Sequence, residues 1–263
     1  MTFRASNGSV LVCHASGDGP PILCLHGLGG GAYFFDDFAP RLSNRYRIYA
    51  ADLPGTGRSA APESVFSMEG WVEVFAEFLQ EFSNPVVLLG HSMSAILGLK
   101  LAHACPDRIA SLILVGGLPE VRPFIRERLS KRFESVAKNG MTGLGPVASP
   151  GVFSAKTIKE QPEVVALFER HLETQPAESY LRGIQILLGA SATDLLPLIR
   201  TRTLVVSGSD DQYAPPECVA EFARQLPGLE RQVVLPECGH MPFLEAPEAF
   251  ANAVEDFLSQ SSG

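Results

Sequence analysis

The sequence lacks the cysteine patterns that stabilise small extracellular domains or build metal centres. Its five cysteines are an odd number at irregular spacing, and no C-x-x-C pair, a motif typical of zinc and thiol-redox sites, is present. We therefore expect reduced cysteines that pack as small hydrophobic side chains. We predict no metal ion and no cofactor.

Long hydrophobic runs and an excess of positive charge are also missing. No uninterrupted apolar run is long enough to cross a bilayer, and Met1–Gly8 contains no apolar segment followed by a cleavage site. The net charge of −8 disfavours nucleic acid and anionic membranes as partners, because both attract clustered positive charge. We expect a cytoplasmic protein that binds a small molecule; the oligomeric state stays open.

What is present is a series of short apolar runs bounded by glycine or proline. They predict strands, several buried on both faces, at Val10–Cys13, Ile22–Leu25, Tyr46–Ala50, Val86–Leu89, Ile109–Val115, Thr203–Ser207 and Arg231–Leu235. Helical patterns lie between them, at Met68–Phe82, Met93–Ala104, Glu217–Leu226 and Pro247–Leu258. This alternation predicts an α/β fold with a mainly parallel sheet flanked by helices.

The stretch from Leu118 to Leu198 breaks the alternation because it has helical signals and no convincing strand. We predict that residues 118–198 form a helical cap, inserted into a core made of residues 1–117 and 199–263. A separate helical domain is the weaker alternative, since strand signals resume at Thr203.

Two amphipathic helices and one loop are predicted inside this insertion. Ile125, Leu129 and Phe133 share the apolar face of the first helix, and Phe168 lies on the apolar face of a later one. The segment Asn139–Gly151 is rich in glycine and proline, which predicts a loop. We expect the apolar faces to cover the site and to select the substrate.

A serine stands directly between a predicted strand and a predicted helix. Gly90-His91-Ser92-Met93-Ser94 follows Val86–Leu89 and precedes Ala95–Ala102. A serine on such a sharp turn is held in a strained conformation with its hydroxyl exposed at the carboxyl edge of the sheet, so its neighbours must be small. This context predicts Ser92 as a nucleophile and not as a plain helix N-cap, although Ser94 replaces the last glycine of G-x-S-x-G.

A glycine-rich segment, His26–Gly31, follows the predicted strand Ile22–Leu25. An oxyanion hole needs two backbone N–H groups, one from the residue after the nucleophile and one from such an early loop, whose glycines allow the required backbone angles. The amides of Met93 and Leu28 are the candidates. A phosphate-binding loop is disfavoured because G-x-x-x-x-G-K-[ST] is absent.

Four motifs in this order resemble the α/β-hydrolase family: H-G-x-G at His26–Gly29, D-x-P-G-x-G-x-S at Asp52–Ser59, G-H-S-x-S at Gly90–Ser94 and a late G-H at Gly239-His240. The resemblance covers nearly the whole chain except the insertion, which varies widely in that family. It implies the α/β-hydrolase fold, with an acid after a late strand and a base near the end of the chain.

The resemblance also implies which residues supply the acid and the base. Gly208–Pro215 resembles the acid loop G-x-x-D-x-x-x-P, which places the acid at Asp211 and leaves Asp210 as the alternative. Of six histidines, only His240 lies in the loop after the last predicted strand. A serine hydroxyl is a poor nucleophile, so an imidazole must take its proton and a carboxylate must orient the imidazole.

Serine at the elbow favours hydrolysis of a small or medium carboxylic ester through an acyl-enzyme, since dehalogenases and epoxide hydrolases of this fold carry aspartate there. We expect a hydrophobic pocket for the substrate. Its predicted lining residues, for each of which core packing is the alternative role, are Phe34, Phe35, Ile125, Leu129, Phe133 and Phe168.

Three other functions fit the same motifs. Similar proteins with this triad hydrolyse carbon–carbon bonds or act as lyases. Ser92-Met93-Ser94-Ala95 also resembles the elbow of plant hormone receptors and bacterial stress regulators, which would make the chain a ligand sensor with slow hydrolysis.

Cys238, near His240, is a poor candidate for the nucleophile because no elbow presents it.

Overall fold

Eight strands form one sheet in the computed structural model, which describes residues 1–260. They are β1 (Thr2–Arg4), β2 (Val10–Ser16), β3 (Pro21–Leu25), β4 (Arg47–Ala51), β5 (Val86–His91), β6 (Ile109–Val115), β7 (Thr203–Gly208) and β8 (Leu229–Leu235). Their order is β1-β2-β4-β3-β5-β6-β7-β8. Only the pairs β1·β2 and β2·β4 are antiparallel among the described strands, so the prediction of a mainly parallel sheet is confirmed.

Eleven α-helices accompany the sheet in the described part of the chain. They are α1 (Ala39–Leu42), α2 (Met68–Phe78), α3 (Met93–Ala104), α4 (Pro123–Asn139), α5 (Leu144–Val152), α6 (Ala155–Glu160), α7 (Pro162–Glu173), α8 (Ala177–Gly189), α9 (Pro216–Ala223), α10 (Pro242–Glu245) and α11 (Pro247–Ser259). Short 3-10 helices lie at Ala32–Phe35, Glu63–Val65, Leu79–Glu81, Pro106–Arg108 and Thr193–Leu198. No helix within residues 1–260 is long and apolar enough to cross a membrane.

The strands in the middle of the sheet are mainly apolar in sequence and are the most deeply buried. Every residue of β5 and of β7 is buried, as expected for parallel strands covered on both faces. The edge strand β8 is only partly covered. The two strands at whose carboxyl ends we predicted Ser92 and the acid loop therefore lie in the buried interior of the sheet.

Five of the helices, α4 to α8, follow one another between β6 and β7. At the base of this insertion, Glu120 and Ser191 form an antiparallel bridge, and the amide of Ala192 donates to the carbonyl of Pro119 at 2.8 Å. We predicted that this region contains no strand, and the structure agrees. That residues 118–198 act as a cap distinct from the core stays a prediction.

The predicted loop over Asn139–Gly151 is wrong in its second half, where α5 forms. This helix packs against α7: a Cβ on Gly145 would lie 2.6 Å from the Cβ of Glu169, and the hydroxyl of Ser149 donates to the carboxylate of Glu169 at 2.5 Å. The small residues that weaken helix propensity are thus needed for the close approach, and packing overrides the local preference.

Candidate active site

Ser92 occupies a strained turn between β5 and α3. Its backbone angles are φ 53° and ψ −115°, a region that non-glycine residues rarely adopt. The amide of Ser92 donates to the carbonyl of Val115 on β6 at 2.8 Å, which anchors the turn to the sheet. The turn is also tight, because a Cβ on Gly90 would lie 2.2 Å from the carbonyl oxygen of Ser94.

Three polar side chains from separate loops meet at this turn. Nε2 of His240 lies 2.9 Å from Oγ of Ser92, and Nδ1 lies 2.9 and 3.1 Å from the two carboxylate oxygens of Asp211. The imidazole and the carboxylate are buried, at 7% and 3% exposure. This geometry lets Nδ1–H donate to the carboxylate while Nε2 faces the hydroxyl.

The two adjacent aspartates have different surroundings. Asp211 is buried, and its Oδ1 also accepts from the backbone amides of Tyr213 and Ala214 at 2.8 and 2.9 Å. Asp210 is exposed and accepts from the hydroxyl of Ser209 at 2.7 Å. Only Asp211 contacts His240, so the geometry favours the predicted register over the alternative.

The two backbone amides predicted to form the oxyanion hole lie near Ser92 and have no acceptor within residues 1–260. Leu28 and Met93 both line a cavity that also contains Ser92 and His240. The amide of Leu28 donates to no group in residues 1–260, and Met93 is the first residue of α3, where an amide has no acceptor within the helix. Gly27 permits the close approach of this loop, since a Cβ there would lie 2.9 Å from Cβ of Ser92.

Ser94, which departs from the usual elbow motif, ties the elbow to the oxyanion loop. Its hydroxyl is fully buried and donates to the carbonyl of His26 at 2.6 Å. His26 begins the glycine-rich segment that carries Leu28. The serine at this position thus adds a hydrogen bond that glycine could not make.

Two further histidines are buried beside the site and are neutral. Nε2 of His26 accepts from the amide of Leu53 at 3.1 Å, and Nε2–H of His91 donates to the carbonyl of His240 at 2.9 Å. Burial lowers the pKa of His26 and holds the pKa of His91 well below its usual value, in the second case assisted by the neighbouring His240. Both side chains hold loops of the site in position.

A cavity of about 90 Å³ opens over Ser92 and His240. Four of the six predicted substrate-binding residues line it, namely Phe34, Ile125, Leu129 and Phe168. The helices of the insertion therefore contribute to the wall of the cavity, together with the elbow between β5 and α3.

The other two predicted substrate-binding residues, Phe35 and Phe133, do not line this cavity. The ring of Phe35 has no exposed surface and packs against Phe243, with ring centroids 5.2 Å apart. Phe133 is half-buried against the hydrophobic core. The residue before it, Arg132, lines the cavity instead, because neighbouring residues of a helix point about 100° apart.

Sequence reasoning missed five polar residues of the cavity wall, namely Glu120, Arg122, Arg132, Tyr180 and Tyr213. Arg132 lies three residues after Leu129 and seven after Ile125, so all three share one helical face. This spacing was the available signal: an arginine on an otherwise apolar face.

Cys238 has the properties of a packed, unreactive thiol. It is buried, and burial raises the pKa of its thiol, so that the nucleophilic thiolate does not form at neutral pH. All five cysteines are unpaired. Within residues 1–260, no group of three or more His, Cys, Asp or Glu side chains could hold a metal ion.

Comparisons with known proteins agree with this architecture. The sequence model of the alpha/beta hydrolase family matches residues 22–253. A pimeloyl-[acyl-carrier protein] methyl ester esterase from Nitrosospira multiformis is 29% identical over 263 residues, covering 93% of this chain and 97% of that protein. A 2-hydroxy-6-oxo-6-(2'-aminophenyl)hexa-2,4-dienoic acid hydrolase from Metapseudomonas resinovorans is 24% identical over 257 residues, covering 93% and 86%.

A solved structure extends the likeness to three dimensions. The thermophilic esterase from Thermogutta terrifontis, solved with malate bound, superimposes with a TM-score of 0.90 at 26% identity and covers 99% of this chain and 98% of that one. The family match spans most of the sequence, and the sheet order and loop positions agree with it. The chain therefore belongs to the alpha/beta hydrolase family and is a hydrolase of that fold.

Proposed function

We propose that this protein hydrolyses carboxylic esters through an acyl-enzyme intermediate on Ser92. One observation carries the proposal: the hydroxyl of Ser92, the imidazole of His240 and the carboxylate of Asp211 are linked in series by contacts of 2.9 Å. Such a series can move a proton away from the hydroxyl as it attacks a carbonyl carbon.

In the first half of the reaction, Oγ of Ser92 attacks the ester carbonyl carbon and His240 Nε2 takes its proton. The negative charge on the former carbonyl oxygen accepts hydrogen bonds from the amides of Leu28 and Met93. The tetrahedral intermediate then collapses, the bond to the alkoxy oxygen breaks, and His240 gives its proton to the leaving alcohol.

In the second half, water attacks the acyl-enzyme and His240 takes a proton from it. The bond between Oγ and the acyl carbon breaks, the carboxylic acid leaves, and the proton returns to Ser92. Asp211 stays ionised throughout; it fixes the proton on Nδ1 and stabilises the imidazolium.

The cavity supports a compact substrate. Its volume of about 90 Å³ is small beside the 300–1,000 Å³ typical of drug-sized ligands, and Phe34, Leu129 and Phe168 make part of its wall apolar. The curated relative from Nitrosospira multiformis and the structural neighbour from Thermogutta terrifontis are named as esterases, which favours an ester over other acyl compounds.

The test is hydrolysis of acyl p-nitrophenyl esters of graded chain length by the wild type and by Ser92→Ala. We expect the substitution to lower kcat roughly a million-fold with an unchanged circular dichroism spectrum. Mass spectrometry after fluorophosphonate treatment should find the label on Ser92. A label on Ser94, or full activity in Ser92→Ala, would reject the proposal.

A carbon–carbon bond hydrolase is the second candidate, favoured by the likeness to the dienoic acid hydrolase from Metapseudomonas resinovorans. A diketone ring-cleavage product added to the same panel distinguishes the two, since an esterase turns over the esters faster. A ligand sensor would hydrolyse every member of the panel very slowly.

A further inference from the structure

Arg132 brings a positive charge into the wall of the cavity without an acidic partner. The side chain is half-buried on α4 and lines the cavity that contains Ser92 and His240. Its hydrogen bonds go to the hydroxyls of Tyr180 and Tyr213, and it forms no ion pair with any carboxylate of residues 1–260. A guanidinium keeps its charge in any protein environment, so the charge is permanent.

The two tyrosines add hydrogen-bond donors beside this charge. Nη1 of Arg132 donates to the hydroxyl of Tyr180 at 3.3 Å, and Nη2 donates to the hydroxyl of Tyr213 at 2.7 Å. Each hydroxyl therefore accepts from the guanidinium, and its own hydrogen meets no acceptor in the described residues. Burial raises the pKa of Tyr180 although Arg132 lowers it, so this hydroxyl keeps its proton.

The cluster thus offers one cation and two O–H donors, and neither hydroxyl hydrogen nor the N–H groups that do not bond the tyrosines have an acceptor within residues 1–260. Buried polar groups are nearly always paired, and a part-buried charge without a partner is costly. The carboxylate of Glu120 lines the same cavity but accepts from the hydroxyl of Ser191 at 3.2 Å. The unmatched donors call for an anion that the protein itself does not supply.

This cluster lies one side chain away from the proposed base. The ring of Tyr213, whose hydroxyl bonds Arg132, lies 5.0 Å from the imidazole of His240 between ring centroids. Arg132 and Tyr213 also line an outer groove of about 460 Å³, together with the exposed cations Arg128 and Lys131. The positive groove would attract an anionic substrate towards the cavity.

We propose that Arg132, Tyr180 and Tyr213 bind a carboxylate on the substrate, so that the preferred substrates are monoesters of short dicarboxylic acids. The planar guanidinium fork matches a carboxylate in shape and charge. The free carboxylate would lie at the far end of the acyl chain from the scissile ester. The identity of the ester rests on the function proposed above, whereas the anion site itself does not.

Kinetics with paired substrates test the preference. The monomethyl esters of succinic, glutaric and adipic acid are each compared with the corresponding dimethyl ester, which has the same chain without the charge. We expect kcat/KM of the wild type to favour one of the monoesters. Arg132→Met should lower the ratio of monoester to diester by about 10- to 100-fold, the range of a charge-assisted hydrogen-bond pair, mainly through KM.

Two variants and one control make the result specific. Arg132→Lys keeps the charge without the fork and should lower the ratio by less than Arg132→Met. Tyr213→Phe keeps the ring beside His240 and should lower the ratio several-fold. Lys138→Met removes the same charge from an exposed position of α4 that lines neither the cavity nor the groove, and should change the ratio less than twofold.

Binding separates this proposal from the function it builds on. Isothermal calorimetry with monomethyl glutarate is done on Ser92→Ala and on Ser92→Ala with Arg132→Met, so that no turnover is needed. Binding at least 10-fold weaker in the double variant supports the anion site, even if no ester is hydrolysed. Equal binding in folded proteins overturns it, even if esters are hydrolysed. Should Arg132→Met not fold, unchanged affinity in both Arg132→Lys and Tyr213→Phe would overturn it as well.

Discussion

At the scale of single residues, Asp211 and Asp210 are chemically identical neighbours with different contacts. Asp211 is buried against His240, whereas Asp210 is exposed and bonded to Ser209. The difference arises because Oδ1 of Asp211 accepts from the two following backbone amides, of Tyr213 and Ala214. These bonds turn the carboxylate inward and fix its orientation.

We predict that Asp211→Asn lowers kcat for ester hydrolysis about 10⁴-fold. An amide can still accept from the backbone, but it leaves the imidazole in the wrong tautomer and cannot stabilise the imidazolium. Asp210→Asn, which makes the same chemical change one residue away, is the control and should change kcat less than about threefold. Equal losses in the two variants would contradict the assignment.

The residues of the site differ in how well the sequence predicts them. Ser92, His240 and Asp211 carry local signals, since each follows a strand within a recognisable loop. Tyr180 and Tyr213 carry none and Arg132 has only its spacing on the apolar face of α4, because the proximity of the three depends on how α4 and α8 pack over the acid loop. Phe133 shows the same limit: a pattern of apolar residues finds a helical face, but it does not show which edge of that face meets the cavity.

At the scale of elements, the insertion is tied to the loop of His240 by one buried carboxylate. Glu245, at the end of α10, accepts from the amides of Gly239 and Met241, on either side of His240. It also accepts from the amide of Ser154 and the hydroxyl of Thr157, at the start of α6. One side chain thus holds the base loop against the insertion.

We predict that Glu245→Gln lowers the free energy of unfolding by about 2–3 kcal/mol, because the amide NH₂ cannot accept from the buried N–H groups it would face. It should also lower kcat, since the loop of His240 loses its support. Urea unfolding followed by circular dichroism measures the first effect, and ester hydrolysis measures the second.

Glu237→Gln is the matched control for this prediction. Glu237 lies in the same loop and also joins it to α6, through an ion pair with Lys156 at 2.8 Å, but the pair is exposed. Exposed pairs contribute less than about 1 kcal/mol, so this variant should be nearly as stable as the wild type. If Glu237→Gln lowered the free energy of unfolding as much as Glu245→Gln does, the burial of Glu245 would not explain its effect.

Elements with strong local patterns could be predicted and those held by packing could not. The limits of β6 and α3 agree with the sequence-based prediction, because a continuous apolar run and a glycine turn define them. The helix α5 contains Pro150 and two glycines, which indicate a loop when viewed alone. The contact with α7 determines that this segment is helical, and α7 is distant from α5 in the sequence.

At the scale of the whole molecule, two neutral histidines at the centre of the fold couple stability to pH. His26 and His91 are fully buried, with pKa values below the usual 6.5. The side chain of His26 also contacts Thr56, and that of His91 contacts the loop of His240. Protonating either histidine in the native state would place a charge among groups that cannot solvate it.

We predict that the free energy of unfolding falls as the pH is lowered below about 6.5, the ordinary histidine pKa. Below this value the unfolded chain binds a proton at each histidine and the native state does not. The free energy of unfolding therefore falls by up to about 1.4 kcal/mol per pH unit for each histidine. The loss continues until the pH reaches the lowered native pKa, and above about pH 7 these groups add no pH dependence.

Urea unfolding at a series of pH values from 7.5 to 5 measures the slope. His91→Gln should be less stable at pH 7.5, because the hydrogen bond of His91 to the carbonyl of His240 is lost or weakened, but its stability should fall less steeply with acidity. His103→Gln, at an exposed position, is the control and should keep the wild-type slope. A wild-type stability that does not change between pH 7 and 5 would contradict the neutral burial of both histidines.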